Sequence, residues 1–264
     1  MVKIIAEAAT NHGGDIVLAK EMVHAAKESG ADAVKFQSWQ VRTMDKAEPA
    51  YEMMSPKELS DEDHYTLMEE CENTGIEFMT TCFDIKRVDF LSGLGLRSVK
   101  VASTDVGSIS MLRRLRESFE HIILSTGMST EDEVEAAAQV LKTGKFTLLH
   151  CVSLYPTPLD KAGLGRMLWL SRFSPSVGYS DHTLGNDAAK AAVAMGADIV
   201  EKHFTLKRDP DNIFSNMSAL PSDIKDICDY AKEFEIMKAY GGPGMLEEEK
   251  EARRTFVGRW GDNR

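Results

Sequence analysis

The sequence predicts a closed (β/α)8 barrel, and three observations carry that prediction. Short apolar runs recur near Ile4-Ile5, Ala33-Val34, Phe78-Met79, Val99 to Val101, Ile122 to Leu124, Leu148-Leu149, Val177 and Ile199-Val200, each too short for a helix. The segments between them carry single apolar stripes at helical spacing, such as Leu18, Met22, Ala25 and Ala26, then Val134, Ala137, Ala138 and Leu141, then Ala188, Ala192 and Met195. The length, 264 residues of which 43% are hydrophobic, suits one barrel of about 250 residues and would leave two full domains cramped.

A strand covered by helices becomes a continuous buried run, and alternating β and α units close most readily as a parallel barrel. An open doubly wound sheet is the rival, but no G-x-G-x-x-G turn follows the first strand. Ser29-Gly30-Ala31-Asp32 and Met195-Gly196-Ala197-Asp198 place glycine where the helices before the second and eighth strands should end. Ser38 to Ser60 is longer than an ordinary βα connection and is expected either as a lid over a site or as a plain surface excursion. A last amphipathic helix is expected from about Asp223 to Lys238. Residues 1–240 thus read as the barrel. Residues 241–264, running through Gly241-Gly242-Pro243-Gly244 and a charged Glu247 to Arg254 stretch, read as a linker-like tail.

The formal charge of −11 and a pI near 5.2 argue against nucleic acid or an anionic membrane as partner, since either needs an extended basic surface. A phosphate ligand would have to meet local cations. Cys71, Cys82, Cys151 and Cys228 are scattered with no C-x-x-C pair, so neither a zinc knuckle nor a disulfide framework is suggested. No apolar run approaches the roughly 18 residues of a membrane span, and the strand-like Lys3-Ile4-Ile5-Ala6 comes too early for a signal peptide. These features predict a cytoplasmic protein.

In a parallel barrel the working residues stand at the carboxyl ends of the strands. There the sequence puts Glu7 and Asn11-His12, Lys35 and Gln37, Thr81, Lys100 and Ser103, Ser125-Thr126-Gly127, Cys151 to Pro158, Ser180-Asp181-His182-Thr183, and Glu201-Lys202-His203-Phe204. One polar residue at a strand end usually caps the next helix, but a ring of them reads as a functional face. His182 and His203 close adjacent units at similar heights, and parallel strands lie about 4.8 Å apart, so one metal could touch both imidazoles. Such a pair with a nearby carboxylate and open positions suits catalytic Mn, Fe, Co or Zn, although either histidine alone could be a hydrogen-bonded core residue. Lys35 and Lys100 would be costly to bury without an anion. With hydroxyls from Thr81, Ser103 and Ser125 they suggest a site for phosphate and carboxylate. The alternative is internal pairing, Lys35 with Glu7 or Lys202 with Glu201. Glu7 is the candidate general acid or base, or the group that orients an attacking water.

These motifs resemble the N-acetylneuraminate (sialic acid) synthase family, over nearly the whole chain. The resemblance is carried by Ile5 to Gly14 (IAEAATNHGG), Ala31 to Gln37 (ADAVKFQ), Ile123 to Met128 (ILSTGM), Leu148 to Pro158 (LLHCVSLYPTP), Gly178 to Thr183 (GYSDHT) and Glu201 to Thr205 (EKHFT). It implies a synthase that joins phosphoenolpyruvate to an N-acetylmannosamine-like aldehyde, giving a nonulosonic acid and phosphate. It further implies a divalent metal on His182 and His203, Mn first with Mg or Co as alternatives. By the same likeness Glu7 is the acid/base carboxylate, and Lys35, Gln37, Thr81, Lys100, Ser103, Ser125, Ser153, Tyr155 and Ser180 contact phosphoenolpyruvate.

The sequence departs from the family pattern at several points. Cys82 stands where proline is usual, and Asp105 where a glutamate is common, so Asp105 is expected as a shorter carboxylate for sugar or metal-water contacts. After the eighth strand, Arg208 to Met217 blurs the family's sugar-binding segment, and Asp211 is the provisional carboxylate there. Family members usually continue into an antifreeze-like domain that covers a partner's active site in a swapped dimer. Here Arg253-Arg254-Thr255-Phe256 resembles the linker into that domain and the sequence stops at Arg264. A partner chain supplying the cap, a different substrate or a shortened chain would each account for this; the expected association is a homodimer or such a partner chain. Two other functions stay open at this stage. One is a phosphoenolpyruvate synthase acting on a phosphorylated aldose, which would need a basic cluster beyond Lys35, Lys100 and Lys202. The other is a barrel that binds metal and ligand without turnover.

Overall fold

The computed structural model describes residues 1–48, 51–210 and 212–261. Eight strands, β1 (Lys3–Ala9), β2 (Ala33–Ser38), β3 (Glu77–Cys82), β4 (Ser98–Val101), β5 (His121–Ser125), β6 (Lys145–His150), β7 (Val177–Asp181) and β8 (Ile199–His203), pair in parallel in sequence order. The barrel closes where β1 meets β8, with Ile5 opposite Glu201 and Glu7 opposite His203. Each predicted apolar run lies in one of these strands, and the open-sheet rival is excluded.

The helices are α1 (Ile16–Glu28), α2 (Tyr51–Met54), α3 (Asp61–Thr74), α4 (Arg87–Gly93), α5 (Ile109–Ser118), α6 (Glu131–Leu141), α7 (Gly165–Leu170), α8 (Asp187–Ala194), α9 (Ile213–Met217), α10 (Pro221–Met237) and α11 (Glu249–Phe256). Local chemistry sets their ends. The Asp15 carboxylate accepts from the amides of Val17 and Leu18 at the start of α1, and Ser60/Asp63 and Thr130/Glu133 form reciprocal capping boxes on α3 and α6. Gly30 and Gly196 follow α1 and α8 at φ of +86° and +90°, the left-handed conformation that closes a helix with least strain for glycine. α10 begins two residues earlier than the sequence suggested, because Pro221 is suited to a first turn and Asp223 accepts from the Leu220 amide.

Side chains alternate across each strand, and the two faces bury different layers. Outward residues such as Ile4, Ala6, Val34, Phe36, Val101 and Leu124 pack under the helices. Inward, Ile5, Ala33, Met79, Ile123, Leu149 and Ile199 form a separate apolar plug across the barrel. All four cysteines are buried and unpaired. No helix among the described residues is long and apolar enough to cross a membrane.

The long segment after β2 folds into 3-10 turns at Val41–Thr43 and Ser55–Lys57 around α2. Trp39 and Leu59 anchor its two ends in the interior, and Glu58 accepts from the Val41 amide at 3.0 Å. Beyond α10 the chain forms α11, whose residues are all exposed.

Candidate active site

Two residues beyond the apolar plug, the inward positions change character. Ile5 is followed by Glu7, Ala33 by Lys35 and Gln37, Met79 by Thr81, Ile123 by Ser125, Leu149 by Cys151, and Ile199 by Glu201 and His203. The plug is thus the floor of a cavity of about 330 Å3 at the carboxyl ends of the strands. Its lining includes Glu7, Lys35, Gln37, Thr81, Lys100, Ser103, Ser125, Ser153, Tyr155, Ser180, His182 and His203, which are the sequence-predicted residues apart from Asp105 and Asp211.

Two lysines and two carboxylates interlock at the centre. Lys35 Nζ lies 2.5 Å from Glu7 and 3.5 Å from Glu201 and donates to Thr81 Oγ1 at 2.8 Å. Lys100 Nζ donates to Ser125 Oγ at 2.7 Å and lies 3.9 Å from Glu201. Gln37 donates to Glu7 at 3.1 Å, and Ser180 donates to Glu201 at 2.9 Å. Burial would push both carboxyls up. For Glu201 the flanking Lys100 and Lys35 win, holding it well below the usual carboxylate range. For Glu7 burial outweighs the attraction of Lys35, Glu201 adds repulsion, and its pKa is pushed up to about 7. Burial lowers Lys100, whereas Glu201 and Glu7 overcome the burial of Lys35 and raise it. Neighbouring carboxyls with separated proton affinities are the arrangement that lets one stay charged while the other exchanges a proton.

The two predicted histidines meet at the mouth, their ring centroids 5.5 Å apart. His182 Nδ1 lies 2.7 Å from the Val152 carbonyl, which can only accept, so Nδ1 carries the hydrogen and the Nε2 lone pair is free. His203 Nδ1 is buried with no hydrogen-bond partner among the described residues. Burial lowers the pKa of both, and for His203 the neighbouring His182 adds to the effect, so both imidazoles are neutral. Tyr155 packs over His182 at 4.3 Å and meets Phe214 at 5.2 Å, while Phe214 stacks on His203 at 6.2 Å. Free lone pairs on neutral imidazoles beside an ionised carboxylate fit a divalent metal. Among the described residues no group of three or more His, Cys, Asp or Glu side chains is arranged around one point.

A hydroxyl cradle faces the lysines. The Gly127 amide donates to Ser103 Oγ at 2.9 Å, and Ser103 Oγ lies 3.1 Å from Cys151 Sγ. A Cβ on Gly127 would stand 2.5 Å from Ser153 Oγ and 2.8 Å from Cys151 Sγ, so only glycine allows these groups to converge.

Three expectations need correction or restriction. Asp105 does not line the cavity: its two carboxylate oxygens accept from Thr104 and Ser108, closing the turn that presents Ser103. Asp211 lies outside the described residues. Lys202 pairs with Asp181 at 2.6 Å and not with Glu201, because adjacent strand residues point to opposite faces and Lys202 faces outward. Lys35 does pair with Glu7, as the ion-pair alternative anticipated. Asn11 and His12 do not line the cavity, Asn11 donating to the Phe204 carbonyl and His12 accepting from the Gly14 amide. The sequence puts Glu201 and Cys151 at the strand ends without a role of their own, and it does not single out Phe214. The two-residue alternation would have found the first two, since each follows an inward plug residue, whereas Phe214 carries no such signal.

Buried cations, hydroxyls and paired neutral imidazoles at the carboxyl mouth of a closed barrel mark a class: a (β/α)8-barrel enzyme with a cationic cavity whose two imidazoles could hold a metal. The chain belongs to the NeuB family, whose model matches residues 22–242. It is 40% identical to the N,N'-diacetyllegionaminic acid synthase of Legionella pneumophila subsp. pneumophila over 264 residues, 90% of this chain and 73% of that protein. Against the N-acetylneuraminate-9-phosphate synthase of Drosophila melanogaster identity is 31%, over 93% of this chain and 74% of the relative. The crystal structure of the N-acetylneuraminic acid synthetase from Leptospira borgpetersenii serovar Hardjo-bovis, in complex with citrate, superimposes with a TM-score of 0.90 at 32% identity, covering 98% of this chain and 93% of that one.

Proposed function

We propose that this chain condenses phosphoenolpyruvate with an amino-sugar aldehyde to give a nonulosonic acid and phosphate. The observation that supports it most is the inward ring of Lys35, Lys100 and hydroxyls beside two neutral imidazoles, in a barrel of the NeuB family. Lys35 and Lys100 bind the phosphate and carboxylate together with Thr81, Ser103, Ser125 and Ser153, drawing the lysines away from Glu7 and Glu201. Gln37 and Ser180 hold the two carboxylates, and Tyr155 fixes the His182 ring. His182 and His203 would hold the divalent metal, Mn first with Mg or Co as alternatives, whose chemistry when bound is to polarise the aldehyde oxygen as a Lewis acid. C3 of the enol bonds to the aldehyde carbon while water adds at C2. Glu7 takes one proton from this water and returns it to the alkoxide formed on the aldehyde carbon, and the C2–O bond to phosphate breaks as the C2 hydroxyl gives its proton to the departing phosphate and becomes the keto group.

Phosphate release from phosphoenolpyruvate tests this reading. N-acetylmannosamine, its 6-phosphate and 2,4-diacetamido hexoses serve as acceptors, with EDTA as control. Release that needs both a sugar and metal is expected; binding of phosphoenolpyruvate with no sugar-dependent release would overturn it. Gly127→Ala tests the cradle. Its methyl group displaces Ser153 and Cys151, so the KM for phosphoenolpyruvate is expected to rise about tenfold or more, the cost of a hydrogen bond to a charged group. A normal thermal melt would show that the loss is local.

We assign residues 1–240 to the barrel and 241–264 to a tail, supported by the end of α10 at Met237 and the exposure of α11. The buried free thiols suit a cytoplasmic setting. Met53, Met128, Leu154, Leu184 and Ile213, large and exposed in the connections and short helices that follow the strands, support cover from a homodimer mate or a partner chain.

A further inference from the structure

The outer faces of β7 and β8, and the residue that follows β8, lie under the helices, where Tyr179, Val200 and Phe204 are fully buried among apolar side chains. One ion pair interrupts that layer. Asp181 is 0% exposed and Lys202 2%, and Lys202 Nζ lies 2.6 Å from Asp181 Oδ2. Burying two charges costs much of what their attraction returns, and apolar residues of similar volume would serve stability as well; what such a pair can add is a fixed register. Asp181 and Lys202 face each other on the last rung of the β7–β8 ladder, and the residues that follow them are His182 and His203. Lys202 Nζ also donates to the Thr183 carbonyl at 2.9 Å, and the Thr183 amide donates to Asp181 Oδ1 at 2.8 Å. One ammonium thus holds the residues on both sides of His182 and itself immediately precedes His203.

We propose that Asp181 and Lys202 are positioning residues that set the separation and direction of the His182 and His203 imidazoles from behind; this rests on the reading above that the histidine pair holds the divalent metal. Neither side chain lines the cavity, since each points to the opposite face from the histidine beside it. The pair therefore acts through the backbone. The His182 carbonyl accepts from the Thr157 amide at 2.8 Å, and the His203 carbonyl accepts from the Ala219 amide at 2.7 Å. Those bonds tie each histidine to a neighbouring loop, whereas the side-chain pair ties the two histidine-bearing strand ends to each other. An ion held by residues of two different strands depends on that separation, and the groups that orient metal ligands are worth about ten- to a hundredfold in metal affinity.

The test reads metal binding to the full chain, by calorimetry with Mn and by the visible absorption of bound Co, whose bands report ligand geometry. Asp181→Asn keeps the side-chain shape and removes the charge. Combining it with Lys202→Met removes both charges, so that no ion is left buried alone. Both variants are expected to bind Mn about ten- to a hundredfold more weakly than the unaltered protein and to shift the Co bands. Phosphoenolpyruvate binding in EDTA should stay within about twofold, because Lys35 and Lys100 are untouched. If either variant is folded and binds Mn and Co as the unaltered protein does, the proposal is overturned, and a lowered melting temperature then marks the pair as holding the fold alone. Failure of both variants to fold assigns the pair to stability and overturns it equally, as does an equal loss of phosphoenolpyruvate binding. If the unaltered protein binds neither Mn nor Co, the metal reading falls and this proposal with it.

Discussion

Replacing His203 or His182 with alanine is expected to lower turnover about a thousandfold or more, the scale of several kcal/mol of carbonyl polarisation. The fold should survive, because neither ring carries the barrel: among the described residues the His182 ring makes one hydrogen bond, to the Val152 carbonyl, and His203 Nδ1 makes none. The check has two parts. Metal content after dialysis should fall in each variant, and excess Mn should restore activity to EDTA-treated unaltered protein but not to the variants. Turnover at the normal rate in either variant would remove the pair from the metal site.

Glu7→Gln is expected to cost between about a hundredfold and ten thousandfold in turnover, the usual worth of a positioned acid or base. Phosphoenolpyruvate binding, measured by calorimetry, should persist because Lys35 and Lys100 remain. The pH dependence gives the sign. Glu7 is pushed up to about 7, and only its carboxylate can take a proton from water. The activity of the unaltered protein should therefore fall as pH drops through about 7, while the residual activity of the glutamine variant should lack that limb. A variant that keeps the same acid limb would assign the titration to another group.

Most of the barrel and much of the site could be read from sequence, for one physical reason. A strand shows its inward face at every second residue, so Ile5 then Glu7, or Ile123 then Ser125, is legible without coordinates. The same rule exposes the errors. Glu201 and His203 share a face and Lys202 does not, so Lys202 had to find an outward partner in Asp181. Contacts made by loops follow no such period. Asp105 sits in a 3-10 turn where its carboxylate closes the turn instead of entering the cavity, and Phe214 and Met54 reach the mouth through connections whose paths no spacing encodes.

The plug beneath the site has a kinetic consequence. Ile5, Ala33, Met79, Ile123, Leu149 and Ile199 fill the barrel from side to side, so the cavity is a well with one opening and not a passage. On the assignment proposed above, the lysines that grip the anion lie nearest the floor, and the histidines lie nearer the rim. Whatever occupies the bottom must enter before the rim is filled and cannot leave until it clears. Phosphoenolpyruvate first, sugar second, and the nonulosonic acid departing ahead of phosphate is the order that this shape imposes.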